Sequence, residues 1–178
     1  MIEVTVAHLG LDRTTNTPVV ILREKDGSRV LPIWIGPAEA SAIAMELAGM
    51  KFARPLTHDL FSPIIRGLGG TLTRVLITRV EENTYFAELV IQRGEELFTI
   101  DARPSDSIAI ALRTRADLFA GDELLTAAAF EIASPDEPFA EGDDEATPGM
   151  PPTPGLSPDE LKEYLRRLNP EDLGRFNP

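Results

Sequence analysis

The chain contains no cysteine among its 178 residues. It can therefore form neither disulfide bonds nor thiolate-ligated metal sites. No stretch reaches the roughly 20 apolar residues that a membrane-spanning helix needs. The N-terminus alternates apolar and polar side chains, a pattern unlike the basic flank and apolar core of a secretory signal. Together these absences predict a protein of the cytoplasm that does not cross a membrane.

A broad surplus of positive charge is also absent, since the formal net charge is −12. Residues 1–130 hold 13 Lys/Arg against 17 Asp/Glu, whereas residues 131–178 hold 4 against 12. Most of the negative charge therefore belongs to the C-terminal tail. Because nucleic acid is a polyanion, the body is not a general electrostatic binder of it, although a local basic patch remains compatible with this balance.

The hydrophobic content of 43% is enough for the core of one ordinary domain. An Asp26-Gly27 hairpin signal joins two apolar runs, and a second series of three strands indicates a meander. The predicted strands are Ile2–Val6, Val19–Arg23, Val30–Ile35, Thr71–Val80, Tyr85–Ile91 and Leu97–Arg103. The predicted helices are Ala38–Leu47, a helix from Thr57 as N-cap towards Gly67, Ile108–Arg115 and Asp122–Phe130. We expect an α+β fold with a mixed, mainly antiparallel sheet and three to four helices.

Composition divides the chain into three parts. Residues 1–133 form the predicted domain, and residues 134–157 form a linker rich in proline and acidic residues, which favours disorder. A capping box at Ser157 to Glu160 leads into residues 158–178, which carry one apolar stripe of Leu161, Tyr164, Leu165 and Leu168. An isolated helix of this length is marginal in water. The stripe is therefore predicted to dock in a groove, either on its own body or on a neighbouring subunit.

Polar side chains cluster where three of the predicted helices begin. Glu39, Asp59 and Asp106 all fall in first helical turns, where capping alone would explain a carboxylate. Asp101 and Arg103 lie two residues apart on a strand, so the default interpretation is a structural ion pair. His58 follows the predicted N-cap, a position at which histidine is more often a structural hydrogen-bonding residue than a catalyst.

The alternative is that these helix starts converge on one cleft. Glu39, Asp59, Asp101 and Asp106 would then be candidate ligands for Mg²⁺ or Mn²⁺, which take oxygen donors. Arg103 could steady a phosphate and His58 could transfer protons, so the predicted catalytic residues are His58, Asp59, Arg103 and Ser105. The spacing does not match any self-sufficient metal motif. The cleft is thus a hypothesis about tertiary structure.

Three strings carry a specific resemblance. They are Leu31 to Ala40 (LPIWIGPAEA), Arg54 to Leu60 (RPLTHDL) and Asp101 to Ser107 (DARPSDS). In this order they resemble the signature stretches of the bifunctional nuclease (DUF151) family, over roughly residues 1–130. The resemblance implies an α+β fold, a homodimer, and DNase and RNase activity on nucleic acid. It brings no established catalytic residue with it. Related bacterial members also end in acidic tails with a short helix.

A non-catalytic function remains open beside the nuclease. The three polar helix starts could simply stabilise a dimeric binding or regulatory module, with the acidic tail as its partner-binding arm. The low basic content favours this alternative. Dimerisation is also suggested by the helices at Ala38–Leu47 and Ile108–Leu112, whose surfaces are too apolar for water. Burial of both helices within one chain is the competing explanation.

Overall fold

The computed structural model describes residues 1–12, 15–82, 84–128 and 130–131. The strands are β1 (Ile2–Asp12), β2 (Thr17–Glu24), β3 (Arg29–Trp34), β4 (Thr71–Glu81), β5 (Thr84–Arg93), β6 (Glu96–Ala102), β7 (Asp117–Ala120) and β8 (Phe130–Glu131). The helices are α1 (Pro37–Leu47), α2 (Phe61–Gly67), α3 (Pro104–Thr114) and α4 (Asp122–Ala128), with a 3-10 turn at His58–Leu60 before α2. The predicted linker and C-terminal helix lie outside the described residues.

The strands form one mixed sheet in the order β6-β5-β4-β7-β1-β2-β3-β8. Within the described ranges, β4 and β7 make the single parallel pair, and each of the other neighbouring pairs is antiparallel. The Asp26-Gly27 turn joins β2 and β3, as the sequence predicts. The α+β class with a mixed, mainly antiparallel sheet is thus confirmed.

The short strand β7 joins the two halves of the sheet. It pairs with β4 on one side and β1 on the other, and so connects the β4–β6 meander to the β1–β3 meander. Leu118 and Ala120 of this strand are buried. The sequence analysis did not predict β7, because four residues are too few to show a period.

Helix α3 is the most deeply buried helix of the described chain. Ile108, Ala109, Ile110 and Ala111 are each at most 1% exposed. The helix packs against α1 and against strands β4 and β5. Its apolar surface is therefore satisfied inside a single chain, which is the alternative to dimerisation that the sequence left open. In addition, no helix of the described ranges, α3 included, is long and apolar enough to span a bilayer.

Several predicted boundaries are wrong: β1 continues to Asp12 instead of ending at Val6, and three others lie at helix ends. Thr57 does not cap α2: its own backbone is helical and its hydroxyl makes no capping hydrogen bond. The Asp59 carboxylate reaches back and accepts a hydrogen bond of 2.8 Å from the Leu56 backbone N–H, so the side-chain contact at this turn comes from Asp59 and not from Thr57. Arg103 lies outside β6, as the extended N-cap residue of α3. The predicted helix Asp122–Phe130 ends at Ala128, since Phe130 pairs with Val30 of β3.

Candidate functional site

Four of the predicted side chains form one connected network at the start of α3. Asp106 Oδ1 lies 3.0 Å from His58 Nε2, and Asp106 Oδ2 accepts a hydrogen bond of 2.7 Å from Arg103 Nε. Arg103 Nη2 in turn forms an ion pair of 2.8 Å with Glu39 Oε1. We call these four residues the Asp106 network. It links α1, the 3-10 turn and the β6–α3 junction.

Local backbone geometry places the ends of this network. Pro104 opens α3 and Pro37 opens α1, since proline suits a first helical position, where no N–H is needed. Gly36, directly before α1, leaves room for the Glu39 carboxylate. A Cβ atom at position 36 would lie 2.3 Å from Glu39 Oε2, so a side chain there would displace the carboxylate. The Gly-Pro start of α1 therefore helps to orient Glu39 towards Arg103.

Asp106 and Arg103 each favour the charged form of the other. Burial by itself would raise the pKa of Asp106, but hydrogen bonds from Arg103 and His58 outweigh it and lower that pKa. The Asp106 carboxylate conversely raises the pKa of Arg103. The Arg103 side chain is 67% exposed, against 17% for His58. Arg103 is consequently the member that a dissolved anion would meet first.

Asp59 does not belong to this network, although it directly follows His58. Its Oδ1 accepts a hydrogen bond of 2.6 Å from Arg113 Nε, and Arg113 is only 6% exposed. The other guanidinium nitrogens of Arg113 donate to the carbonyl oxygens of Ala42 and Ala109. The hydrogen bond from Arg113 Nε to the Asp59 carboxylate lowers the pKa of Asp59, although burial acts in the opposite direction. The pair of Asp59 with Arg113 therefore links the 3-10 turn to α3. Arg113 also links α3 to α1, through the carbonyl oxygen of Ala42.

The two carboxylates interact with different turns of α3. Arg113 lies seven residues after Asp106, so the two residues share one face of α3 and are separated by about 10.5 Å along the helix axis. The structure thus brings His58, Arg103, Asp106 and Glu39 together, and places Asp59 with the Arg113 pair. Sequence reasoning did not single out Arg113. The signal was its spacing of seven from Asp106, which places both side chains over the same face.

Ser105 and Asp101 occupy separate environments. Ser105 is 7% exposed and lies in the first turn of α3. Asp101 is exposed on β6, and within the described ranges its side chain makes no hydrogen bond or ion pair. The default pairing of Asp101 with Arg103 is wrong, because Arg103 pairs with Glu39 and Asp106 instead.

The described residues include no group of three or more His, Asp or Glu side chains placed to hold a metal ion. Both oxygens of Asp106 and both of Asp59 already accept hydrogen bonds or ion pairs, and Glu39 Oε1 faces Arg103. A hard cation such as Mg²⁺ needs several such oxygens at once. The carboxylates as arranged do not fit that requirement, so divalent-metal assistance stays a prediction.

Comparison with known proteins gives a consistent family. Residues 20–133 match the model of the bifunctional nuclease domain. A Mycobacterium tuberculosis protein named only as uncharacterized is 40% identical over 171 residues, covering 96% of this chain and 97% of its own. Bifunctional nuclease 1 of Arabidopsis thaliana is 26% identical and bifunctional nuclease 2 of Oryza sativa subsp. japonica 31% identical, each over 102 residues. These alignments cover 55% of this chain and 31% of each plant protein.

Proposed function

Because the chain belongs to the bifunctional nuclease domain family, we propose that it is a nuclease that hydrolyses phosphodiester bonds of DNA or RNA. The observation that carries the proposal is the Asp106 network, which lies entirely within the matched residues. It combines an imidazole held by a carboxylate with an exposed guanidinium. These are the groups that proton transfer and phosphate binding require.

The proposed chemistry divides between the two basic side chains. Asp106 holds His58 through Nε2, which leaves Nδ1 of a neutral ring as the atom able to accept a proton from an attacking water. The water oxygen forms the new bond to phosphorus as the bond from phosphorus to the leaving sugar oxygen breaks. That oxygen takes a proton from solvent, and His58 returns to solvent the proton that it accepted from the attacking water. Arg103, held in place by Asp106 and Glu39, stabilises the charge that develops on the phosphate oxygens. Asp59 and Ser105 support the site, since Asp59 is paired and Ser105 is buried.

Divalent-metal assistance is a separate part of the proposal. Mg²⁺ or Mn²⁺ would supply further charge at the phosphate. The candidate ligands are Glu39, Asp101 and Asp106 with Asp59, and several of them would first have to leave their present partners. The chemistry assigned to His58 and Arg103 does not depend on such an ion.

The test is a nuclease assay on single- and double-stranded DNA and RNA, with and without EDTA and with added Mg²⁺ or Mn²⁺. His58→Gln should lower hydrolysis by about 10²- to 10⁴-fold, the usual contribution of a positioned acid or base. Arg93→Gln is the matched control, because Arg93 is exposed and pairs with Glu96 outside the network. Equal activity in parent and His58→Gln protein would refute the catalytic role of His58. Absence of activity on every substrate would refute the nuclease function.

A non-catalytic binding or regulatory module is the second candidate. It is favoured by the ion pairs of Arg103 with two carboxylates, because such pairs can hold the start of α3 in place whether or not a reaction occurs there. In that case nucleic acid or another partner binds without turnover. Binding of a labelled oligonucleotide that Arg103→Gln weakens, with intact oligonucleotide recovered afterwards, would favour the module over the enzyme.

We also propose that the chain forms a homodimer. The support comes from β6, which ends the described sheet and is exposed from Glu96 to Asp101. An uncovered apolar edge strand is prone to pair with another chain. Antiparallel pairing of two β6 strands about Thr99 would place Phe98 opposite Ile100 of the second copy. Light scattering at micromolar concentration tests the dimer, and a monomer mass would refute it.

A cytoplasmic location stays a prediction.

A further inference from the structure

The exposed face of α2 is apolar. Leu60, Phe61, Ile64 and Leu68 are between 37% and 71% exposed, whereas Ile65 of the same helix is 8% exposed. We call the first four residues the α2 surface, although Leu60 and Leu68 are the residues directly before and after the helix. At 100° per residue they fall within an arc of about 100°, so they form one stripe. Because a surface helix normally turns polar residues to water, a stripe of this kind indicates an unassigned contact.

The sequence around this stripe is locally basic. Residues 51–80 include five Lys/Arg and a single acidic residue, Asp59, which is already paired with Arg113. Arg54 and Arg66 flank the α2 surface in sequence, and neither side chain forms a hydrogen bond or ion pair with the rest of the described chain. An occupant with an apolar stripe and nearby negative charge would therefore complement this surface.

The C-terminal part of the same chain has this chemistry in its sequence. Leu161, Tyr164, Leu165 and Leu168 also fall within about 100° on a helix of 3.6 residues per turn. The preceding residues 134–157 contain six acidic residues and no Lys or Arg. We propose that the segment 158–168 binds the α2 surface of its own chain, with the acidic stretch before it beside Arg54 and Arg66.

The distance is within reach of the connecting chain. The described chain ends in β8, and α2 contacts β4, which lies five strand positions away in the sheet. Five spacings amount to about 24 Å. The 26 residues from 132 to 157 would span about 28 Å as an unstructured coil, so the segment reaches α2 without being stretched.

The absence of cysteine allows a direct test on the full chain. Ile64→Cys and Leu165→Cys introduce one thiol at the centre of each stripe. Mild oxidation should join them within a single chain, which is seen as a monomer with a faster, reducible band on a denaturing gel. Disulfide-linked dimers of the Ile64→Cys single variant would show that a second copy covers the surface. Cross-links between chains in the double variant would show that the tail binds a neighbour. Either result overturns the proposal.

A matched pair controls for random collision. Leu11 is 45% exposed on β1, comparable with 52% for Ile64, so Leu11→Cys with Leu165→Cys should cross-link far more slowly. Equal rates in the two pairs would refute specific binding.

Hydrogen exchange gives a second readout that needs no cysteine. Leu165→Ser in the full chain should raise amide exchange over residues 60–68 by about tenfold, because a covering contact is lost. Leu173→Ser, outside the stripe, should leave that exchange unchanged. Unchanged exchange in Leu165→Ser would also refute the contact.

Discussion

The two ends of α3 carry the same kind of interaction in different surroundings. At the N-terminal end, the Arg103 side chain pairs with carboxylates and is 67% exposed. Almost three turns later, the Arg113 side chain pairs with Asp59 and is 6% exposed. An exposed ion pair contributes little to stability, whereas loss of one partner from a buried pair leaves an uncompensated charge. The comparison separates a site that is available to ligands from one that serves the fold, although each contains a carboxylate at a helix start.

The largest expected effect comes from breaking the buried end. Asp59→Ala should lower the free energy of unfolding by about 2–4 kcal/mol, because the Arg113 charge remains buried without its carboxylate. Urea unfolding measures the change. Asp101→Ala serves as the control, since Asp101 is exposed, and it should change the free energy by less than about 0.5 kcal/mol. Similar losses in the two variants would show that the Arg113 pair is not structural.

Acid should weaken the same buried pair. The pKa of Asp59 is lowered in the folded chain, so its stabilising contribution is complete above its ordinary value of 3.8 and is lost as the pH falls through the folded pKa. The stability difference between parent and Asp59→Asn should therefore narrow as the pH is lowered from about 5 to about 2. Denaturant unfolding across this range tests the sign. A difference that widens on acidification would contradict the pairing.

At the exposed end, Gly36→Ala should affect activity more than stability. The new Cβ would push the Glu39 carboxylate away from Arg103, but Glu39 is flexible and can turn towards solvent. We expect hydrolysis to fall several-fold, with a stability change of less than about 1 kcal/mol. Gly67→Ala is the control, since a Cβ there meets no atom within 4 Å. Equal activity of the two variants would show that the position of Glu39 is irrelevant to the reaction.

The smallest effect is expected for Glu39→Gln. This change removes one of the two carboxylates beside Arg103, and the exposure of that arginine limits the stability cost to about 0–1 kcal/mol. The same change frees part of the Arg103 charge, so oligonucleotide binding should become tighter and more sensitive to salt. Titrations at two salt concentrations measure this. Binding that is unchanged or weaker at both salt concentrations would show that Glu39 does not offset the charge of Arg103.

Local sequence signals were sufficient for much of the sheet and for two helix starts. The Asp26-Gly27 turn fits a tight hairpin, and Pro37 and Pro104 open α1 and α3, because these signals act through the backbone of neighbouring residues. Strand β7 could not be recognised in this way. Its four residues form a strand only because β4 and β1 provide hydrogen-bonding partners on both sides.

The candidate site shows the same division. The sequence by itself identified His58, Asp59, Arg103 and Asp106 as unusual residues at helix starts. Only the tertiary structure decided that His58 joins Asp106, 48 positions away, whereas the adjacent Asp59 joins Arg113, 54 positions away. Neighbours in the chain diverged because successive side chains of a tight turn point in different directions and meet different turns of α3. Capping preferences are local, but the choice of partner depends on packing between elements that are distant in sequence.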